Sequence, residues 1–259
     1  MITSEIRGNW RIDAPDGRGI VTPLTAEEIP EIALLYRETQ IKKAEYPERL
    51  NPESPDSFRI RGGMFEVHTE KSLRALLEDE REIFWLARDE DGKLMGTFWC
   101  GIYDEKYRHP ENMLMKPEFS DYPRRVIEDT DGGRCYYIKE VIICHERRIR
   151  RLAESMFLYS MLAFYKRGFR RVCGEVFRLR EYSCGGEWVS ADMTNENSLK
   201  MVLRTKAAEV GEFKVKRVSC DGFTADITAL MLSWELPRAM DALKAELDKM
   251  GITTKEGKI

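Results

Sequence analysis

The sequence lacks the features that define several classes of protein. Its six cysteines form no Cys-x-x-Cys pair and its three histidines lie far apart, so the ligand spacing of a metal site is missing and we expect no metal. The longest dense apolar stretch, Met156 to Tyr165, is too short to span a bilayer, and Met1 to Trp10 has no apolar core of a signal peptide. These absences predict a cytoplasmic protein with reduced cysteines and no membrane contact.

A strong charge of one sign is also missing. The chain has 42 lysines and arginines, 45 aspartates and glutamates and a formal net charge of −3, so no global field recruits nucleic acid or an anionic membrane. The 259 residues are 42% hydrophobic and 34% charged, which is typical of a soluble globular protein with a substantial core. No internal repeat or clear linker is visible, so we predict one mixed α/β domain with insertions.

Positive charge is instead concentrated in one turn. Residues 136–143 read as an apolar strand, an apolar helix begins near Leu152, and a second strand covers 172–176. Four arginines crowd the turn between the first strand and the helix: Arg147, Arg148, Arg150 and Arg151. The first amides of a helix have no partner inside it, and the helix dipole disfavours cations at that end. The turn therefore indicates a phosphate-bearing ligand, although a solvated helix start has the same composition.

Apolar periodicity and turn residues predict the other elements. Before the strand, turn, helix and strand of 136–176, the predicted elements are an irregular arm over 1–17, a strand over 19–23, a helix from the N-cap Thr25 to about Lys43, a loop over 46–66, a helix that begins at Thr69 or Ser72, and a hairpin over 82–102. After this unit they are a polar connection over 178–186, a helix opened by Asn195, a hairpin of 213–220 with 226–236, and a helix over 236–250 begun by Pro237. The segment 103–134 is too polar and too broken by proline for a core element, so we expect a functional or a disordered loop.

The order of these elements resembles the GNAT superfamily, the GCN5-related N-acetyltransferases, over roughly residues 18–236. The family's usual run is Glu-x-x-Val-x-Pro-x-x-Arg-Gly-x-Gly-x-Gly/Ala, followed by an apolar helix. In the same register the sequence reads Glu140, Ile143, His145, Arg148, Ile149, Arg151 and Ala153. Gly168 matches the family's helix-ending glycine, and Asn195-x-x-Ser198 is similar to its Asn-x-x-Ala helix start.

The sequence departs from the family's pattern in the loop and in the last helix. Arg151 stands at the loop's central glycine, and Val202 stands at the tyrosine that is often the general acid. Glycine lets the backbone approach phosphate closely. An arginine at this position is compatible with two interpretations. In one, guanidinium contacts replace the amide contacts to phosphate. In the other, the pyrophosphate binds differently or not at all.

The resemblance implies an α/β fold with a central twisted mixed sheet flanked by helices. The GNAT-like acyltransferase domain would cover 18–236, after an N-terminal arm over 1–17 and before a C-terminal helix and tail over 237–259. Its inserts would lie near 43–71, 103–134 and 178–194.

The resemblance also implies an enzyme that moves an acetyl or other acyl group from acyl-CoA to an amine by direct attack. Backbone amides around Ile142 and Ile143 would hold the pantetheine arm and polarise the thioester carbonyl. Glu140 would be the general base that deprotonates the amine, directly or through water, although a glutamate in a strand also pairs with cations. The other donor contacts would come from Arg148, Ile149, Arg150, Arg151, Leu152, Ala153, Asn195 and Ser198.

Three alternatives stay open at the level of sequence. The donor could be acyl carrier protein, which is acidic and would suit the arginines. The chain could also be a catalytically silent GNAT-like domain that binds a ligand or a partner protein. An RNA-binding module that uses Arg147 to Arg151 is the third alternative, although we expect no nucleic acid as a partner. The resemblance implies an acceptor that bears an amine, either a small molecule or a protein.

Overall fold

The computed structural model describes residues 8–63, 68–104, 134–144, 149–184, 186–220 and 223–256. They form one ten-stranded sheet with helices on both faces. The strands are β1 (Trp10–Ala14), β2 (Gly17–Pro23), β3 (Glu82–Arg88), β4 (Leu94–Asp104), β5 (Arg134–Ile143), β6 (Arg171–Cys184), β7 (Trp188–Thr194), β8 (Ala208–Cys220), β9 (Phe223–Glu235) and β10 (Thr253–Glu256). The helices are α1 (Ile29–Thr39), α2 (Tyr46–Arg49), α3 (Phe58–Arg61), α4 (Glu70–Glu78), α5 (Leu152–Lys166), α6 (Glu196–Arg204) and α7 (Leu236–Lys249).

The sheet is mixed, as the resemblance implies. Neighbouring strands follow the order β10-β1-β2-β3-β4-β5-β6-β9-β8, and β7 pairs with β6 off this path. The described pairs are antiparallel except β5 with β6, which is parallel. A parallel pair needs a crossover connection, and α5 supplies it.

Alternation along β3 shows why both faces of the sheet are covered. Ile83 and Trp85 belong to the large core cluster beneath α5 and α7, whereas Phe84 and Leu86 belong to a second cluster with α1 and α4. Successive side chains of a strand point to opposite faces, so a continuous apolar run is buried on both faces of the sheet. The central helix α5 is apolar on almost every side, which is typical of a buried helix.

Both ends of the described chain form strands of the sheet. The prediction of an irregular arm over 1–17 is therefore wrong for residues 10–14, which form β1. Trp10 and Ile12 are buried in the core, while Arg11 is exposed. This period-two alternation is the ordinary signal of a half-buried strand. On its other edge β1 pairs with β10, which lies in the predicted C-terminal tail.

The predicted polar connection over 178–186 is also wrong, because β6 continues to Cys184 and then pairs with β7. Charged residues in this stretch hide a strand signal. Arg178 and Arg180 each make ion pairs with Asp192 on β7 and Glu212 on β8, at 2.7–3.6 Å. Cross-strand pairing of opposite charges compensates for the missing apolar alternation.

The other predicted helices and strands are present with shifted boundaries, and the predicted loop over 46–66 is wrong in part. Helix α1 ends at Thr39 rather than near Lys43, and two short helices, α2 and α3, interrupt the predicted loop over 46–66. The predicted insert over 103–134 lies mostly outside the described residues. Among the residues that the structure covers, no helix is both long and apolar enough to cross a bilayer.

Candidate active site

The site is built where β5 and β6 part. The two strands pair only from Tyr136–Val172 to Ile138–Gly174. Beyond this point β5 stays with β4 as far as Ile143, while β6 stays with β9. The gap opens into a cleft of about 3030 Å³ that β5, β6, the start of α5, α6 and the α1–α4 side of the sheet line together.

A β-bulge shapes the wall of this cleft. Trp99 is opposite Glu140 and Cys100 is opposite Ile138, so Lys139 is the extra residue. In a regular strand Lys139 and Glu140 would point to opposite faces. Here Glu140 accepts a hydrogen bond from Tyr36 of α1, and Lys139 pairs with Glu82 of β3. The bulge therefore presents two consecutive charged side chains on the α1–α4 face.

Glu140 has the environment of a base that works near neutral pH. Its residue keeps some exposure to the cleft, but its carboxyl is enclosed. Burial raises the pKa of Glu140 from 4.5 to about 7, and the Tyr36 hydrogen bond opposes this rise. Burial and the neighbouring carboxylate also raise the pKa of Tyr36, so the phenol stays protonated and remains the donor.

A charged cluster adjoins the bulge. Glu82 is only 3% exposed, and it accepts a hydrogen bond from Trp99 Nε1 at 2.8 Å in addition to its ion pair with Lys139. The Lys139 ammonium lies 4.8 Å from the centroid of the Trp99 ring, and the His68 ring packs edge-on against the same indole at 4.9 Å. These contacts fix the bulge from the side opposite the gap.

A second enclosed carboxyl, Glu175, lies across the gap on β6 and was missed by the sequence analysis. It follows Gly174, the last residue of β6 that pairs with β5, and it lines the cleft. Burial raises the pKa of Glu175 to about 7, against a hydrogen bond from Tyr137 and the charge of Lys139. A glutamate inside the otherwise apolar run Val172–Val176 was the signal that could have identified it.

The hydrogen-bond register of β5 with β4 decides which backbone amides of β5 face the gap. Cys144 N–H donates to the Met95 carbonyl of β4 at 2.8 Å, and the Ile142 carbonyl also points toward β4, because a side chain at Gly96 would come within 2.5 Å of it. Amides alternate between the two edges of a strand. The N–H groups of Val141 and Ile143 therefore point to the open edge, whereas the N–H of Ile142 is turned to β4, contrary to its predicted role.

The described part of the loop after β5 is held by groups of the protein itself. The N–H of Arg150 donates to the Asp16 carboxylate at 2.9 Å, and the buried Ile149 leaves no room for a side chain at Gly17, where a Cβ would approach to 2.8 Å. The predicted donor residue Arg148 lies outside the described residues. The backbone amide of Arg150, one of the predicted donor contacts of this loop, is thus already occupied by Asp16.

Arg151 adopts the backbone conformation of the glycine that it replaces. Its φ and ψ are 60° and 30°, in the left-handed region that costs a non-glycine residue about 1 kcal/mol or more. Its guanidinium donates to Glu154 at 2.6 Å, and Arg204 of α6 contacts the same carboxylate at 2.9 Å. The side chain predicted to contact phosphate is therefore committed to an intramolecular ion pair.

The start of α5 has backbone amides that the helix itself does not pair. The first bond of the regular helical pattern runs from Ser155 N–H to the Arg151 carbonyl, and Leu152 N–H donates to Ile149 at 3.3 Å. This pattern leaves the amides of Ala153 and Glu154 without a partner inside the helix. Leu152 is buried, and Ala153 lines the cleft.

Asn195 and Ser198 meet at the start of α6, on the far side of the cleft. The Asn195 side chain accepts a hydrogen bond from Ser198 N–H at 2.7 Å, which is the ordinary N-cap contact. Both residues line the cleft, so the structure brings them to the site. Their described polar contact, however, stabilises the helix. Within the described residues, no three side chains of His, Cys, Asp or Glu converge as metal ligands.

Comparison with solved structures identifies the fold. The chain is similar to Mycobacterium smegmatis RimJ in complex with CoA-disulfide, with a TM-score of 0.51 and 14% identity over 93% of this chain and 95% of that one. It is also similar to a GNAT-family acetyltransferase from Listeria monocytogenes, with a TM-score of 0.46 and 14% identity over 85% of this chain and 99% of that one, and to a putative phosphinothricin N-acetyltransferase, with a TM-score of 0.46 and 15% identity over 84% and 98%. No protein-family model matches the sequence, and no curated protein matches it. The chain has the GNAT fold, which confirms the predicted resemblance.

Proposed function

We propose that the protein is an N-acyltransferase that moves an acetyl or other acyl group from acyl-CoA to an amine. The observation that carries this proposal is the gap between β5 and β6, which combines an open strand edge, an adjacent helix start and an enclosed carboxyl. These three features supply what the transfer of an acyl group from a thioester to an amine needs: binding of an extended donor arm, binding of phosphate, and removal of protons from the amine.

The donor would lie along the open edge of β5. The amides of Val141 and Ile143 would bind the amide groups of the pantetheine arm as an added strand does, and one of them would polarise the thioester carbonyl. The amides of Ala153 and Glu154, the exposed side chain of Arg150 and Arg148, which the sequence predicts to lie in the same loop, would hold the phosphates. Asn195 and Ser198 would border the same cleft from α6.

The acceptor would approach from the α1–α4 face. Glu140 accepts a proton from the amine, directly or through water, and the neutral nitrogen attacks the carbonyl carbon of the donor. The Tyr36 phenol holds the carboxylate oriented and limits the rise of its pKa. A positioned base typically contributes about 10²–10⁴-fold to the rate.

One observation favours a second candidate donor, acyl carrier protein. Asp16 already occupies the Arg150 amide, and Arg151 is paired with Glu154, so the loop offers fewer groups to a pyrophosphate than its register in the family suggests. A phosphopantetheine arm on a carrier protein has one phosphodiester in place of a pyrophosphate and would need fewer of them.

The proposed enzyme would be cytoplasmic, with the acyltransferase domain over 18–236. The activity is tested by incubating the full chain with acetyl-CoA and a panel of primary amines (butylamine, 1,4-diaminobutane, 2-phenylethylamine and a peptide with a free α-amino group) and measuring thiol release and acetylated product. Product that depends on the protein and decreases in Glu140→Gln supports the proposal. Binding of acetyl-CoA without transfer to any amine, and no transfer from acetylated carrier protein, would support a silent domain instead.

A further inference from the structure

Glu175 has a position that the proposed reaction does not yet use. It lies on β6 directly after the last residue paired with β5, on the wall of the cleft opposite the bulge. Val172 and Val176 on the same strand face the core beneath α5, so the alternation of β6 points Glu175 to the other face. This is the α1–α4 face, on which the bulge also presents Glu140.

The chemistry of amine acylation requires two proton departures from one nitrogen. An aliphatic amine is an ammonium ion near neutral pH, because its pKa is about 10. During transfer its nitrogen forms a bond to the carbonyl carbon, the C–S bond breaks, and the nitrogen loses two protons. One of these protons ends on the sulfur of the released thiol and the other goes to solvent. Glu140 alone accepts one proton at a time.

We propose, on the basis of the acyl transfer proposed above, that Glu175 is a second proton acceptor of the active site, so that Glu140 and Glu175 each take, directly or through water, one of the two protons that leave the amine nitrogen. One of the two protonated carboxyls then returns its proton to solvent, and the other proton is passed to the thiolate. Glu175 is in this sense a catalytic residue.

The groups that surround Glu175 suit this role. The Tyr137 phenol donates to the carboxyl, and Lys139 lies close enough to act on its charge, while burial raises the pKa of Glu175 to about 7. The Lys139 ammonium is itself shared with Glu82, so it does not hold Glu175 fully ionised. On the other side β9 places the apolar Met231 in register with Glu175. The carboxyl is thus able both to accept and to release a proton near neutral pH.

The test compares Glu175→Gln with wild type and with Glu181→Gln, a control that makes the same change further along β6. We measure kcat/KM for butylamine and acetyl-CoA from pH 5.5 to 8.5, together with the calorimetric affinity for acetyl-CoA. Since butylamine is an ammonium ion throughout this range, two required carboxylates give an acid limb of slope two. We expect slope two in wild type and in Glu181→Gln. In Glu175→Gln we expect slope one, a rate at least tenfold lower and an unchanged affinity for acetyl-CoA.

A second readout does not depend on turnover. In protein labelled with ¹³C at the glutamate carboxyls, the signal missing from Glu175→Gln identifies Glu175, and we expect it to titrate near pH 7. A signal that titrates below pH 5, or a wild-type slope of one that Glu175→Gln leaves unchanged, would overturn the role of Glu175 and leave the acyl transfer intact. Loss of acetyl-CoA binding in Glu175→Gln would also overturn it, because the residue would then be structural. Failure of wild type to bind acetyl-CoA would instead overturn the acyl transfer itself.

Discussion

The replacement of Tyr36 by phenylalanine tests whether Glu140 is the base. The phenol of Tyr36 donates to the Glu140 carboxylate and lowers its pKa, while burial raises that pKa to about 7. A hydrogen bond to a charged group contributes about 1.5–3 kcal/mol, and one pKa unit corresponds to about 1.4 kcal/mol. Tyr36→Phe should therefore raise the pKa of Glu140 by roughly 1–2 units.

The rate consequence follows from the fraction of ionised Glu140. At pH 7 this fraction is about one half in wild type, and it falls to roughly 1–10% when the pKa is 8–9. We expect kcat/KM at pH 7 to decrease by roughly 5–50-fold in Tyr36→Phe and to recover at high pH, because the acid limb of the profile moves upward. Tyr159→Phe is the matched control, since Tyr159 stacks on Trp10 at 3.5 Å in the core and lies outside the cleft. An acid limb that stays in place in Tyr36→Phe would refute the assignment of Glu140.

The same pKa shift has a consequence for stability. The folded-state pKa of Glu140 lies above its ordinary value of 4.5, so ionisation is disfavoured in the folded protein. Its contribution to the free energy of unfolding is fully present below about pH 4.5 and is lost as the pH rises through 7, by about 3 kcal/mol. Glu140→Gln should remove this pH dependence, which urea unfolding at pH 5 and pH 8 would show. An equal pH dependence in the variant would contradict the shifted pKa.

Three further predictions concern the donor loop and the bulge. Asp16→Asn should strengthen acetyl-CoA binding by about 1 kcal/mol, roughly fivefold, because it removes a carboxylate beside the Arg150 amide. The gain in affinity should shrink at high salt. Calorimetry in low and in high salt measures the gain and its salt dependence. Arg151→Gly should leave acetyl-CoA affinity unchanged or improve it, because glycine adopts the left-handed conformation without strain, and a weaker affinity would show that the guanidinium contacts the donor. Glu82→Gln should destabilise the fold by about 3 kcal/mol, measured by urea unfolding, because it removes the carboxylate that pairs with a lysine only 12% exposed.

Much of the fold is predictable from local patterns, and its boundaries are not. Thr25 with Glu28 forms the capping box of the first helical turn, and Asn195 caps α6, because such contacts depend only on residues within one turn. The first half of β6 was predicted, but its charged second half was read as a connection, because that half is stabilised by partners on β7 and β8, which are distant in sequence. Local propensity cannot report such partners.

Within the candidate site, the sequence does not show the direction of a group that tertiary pairing sets. The rule of alternation places Lys139 and Glu140 on opposite faces, and the bulge, which depends on the pairing with β4, overrides it. The hydrogen-bond register between β5 and β4 also decides that Ile143 rather than Ile142 presents its amide to the gap. Glu140 itself lies in the cleft as the resemblance implies, and its role as the base stays a prediction.

The measurement that tests the central proposal most directly is calorimetric titration of the full chain with acetyl-CoA, followed by competition with desulfo-CoA. We predict saturable binding of one molecule per chain with a dissociation constant of about 1 μM or lower, near −8 kcal/mol, and displacement of acetyl-CoA by desulfo-CoA. Absence of binding by either compound would contradict a CoA site in the gap between β5 and β6.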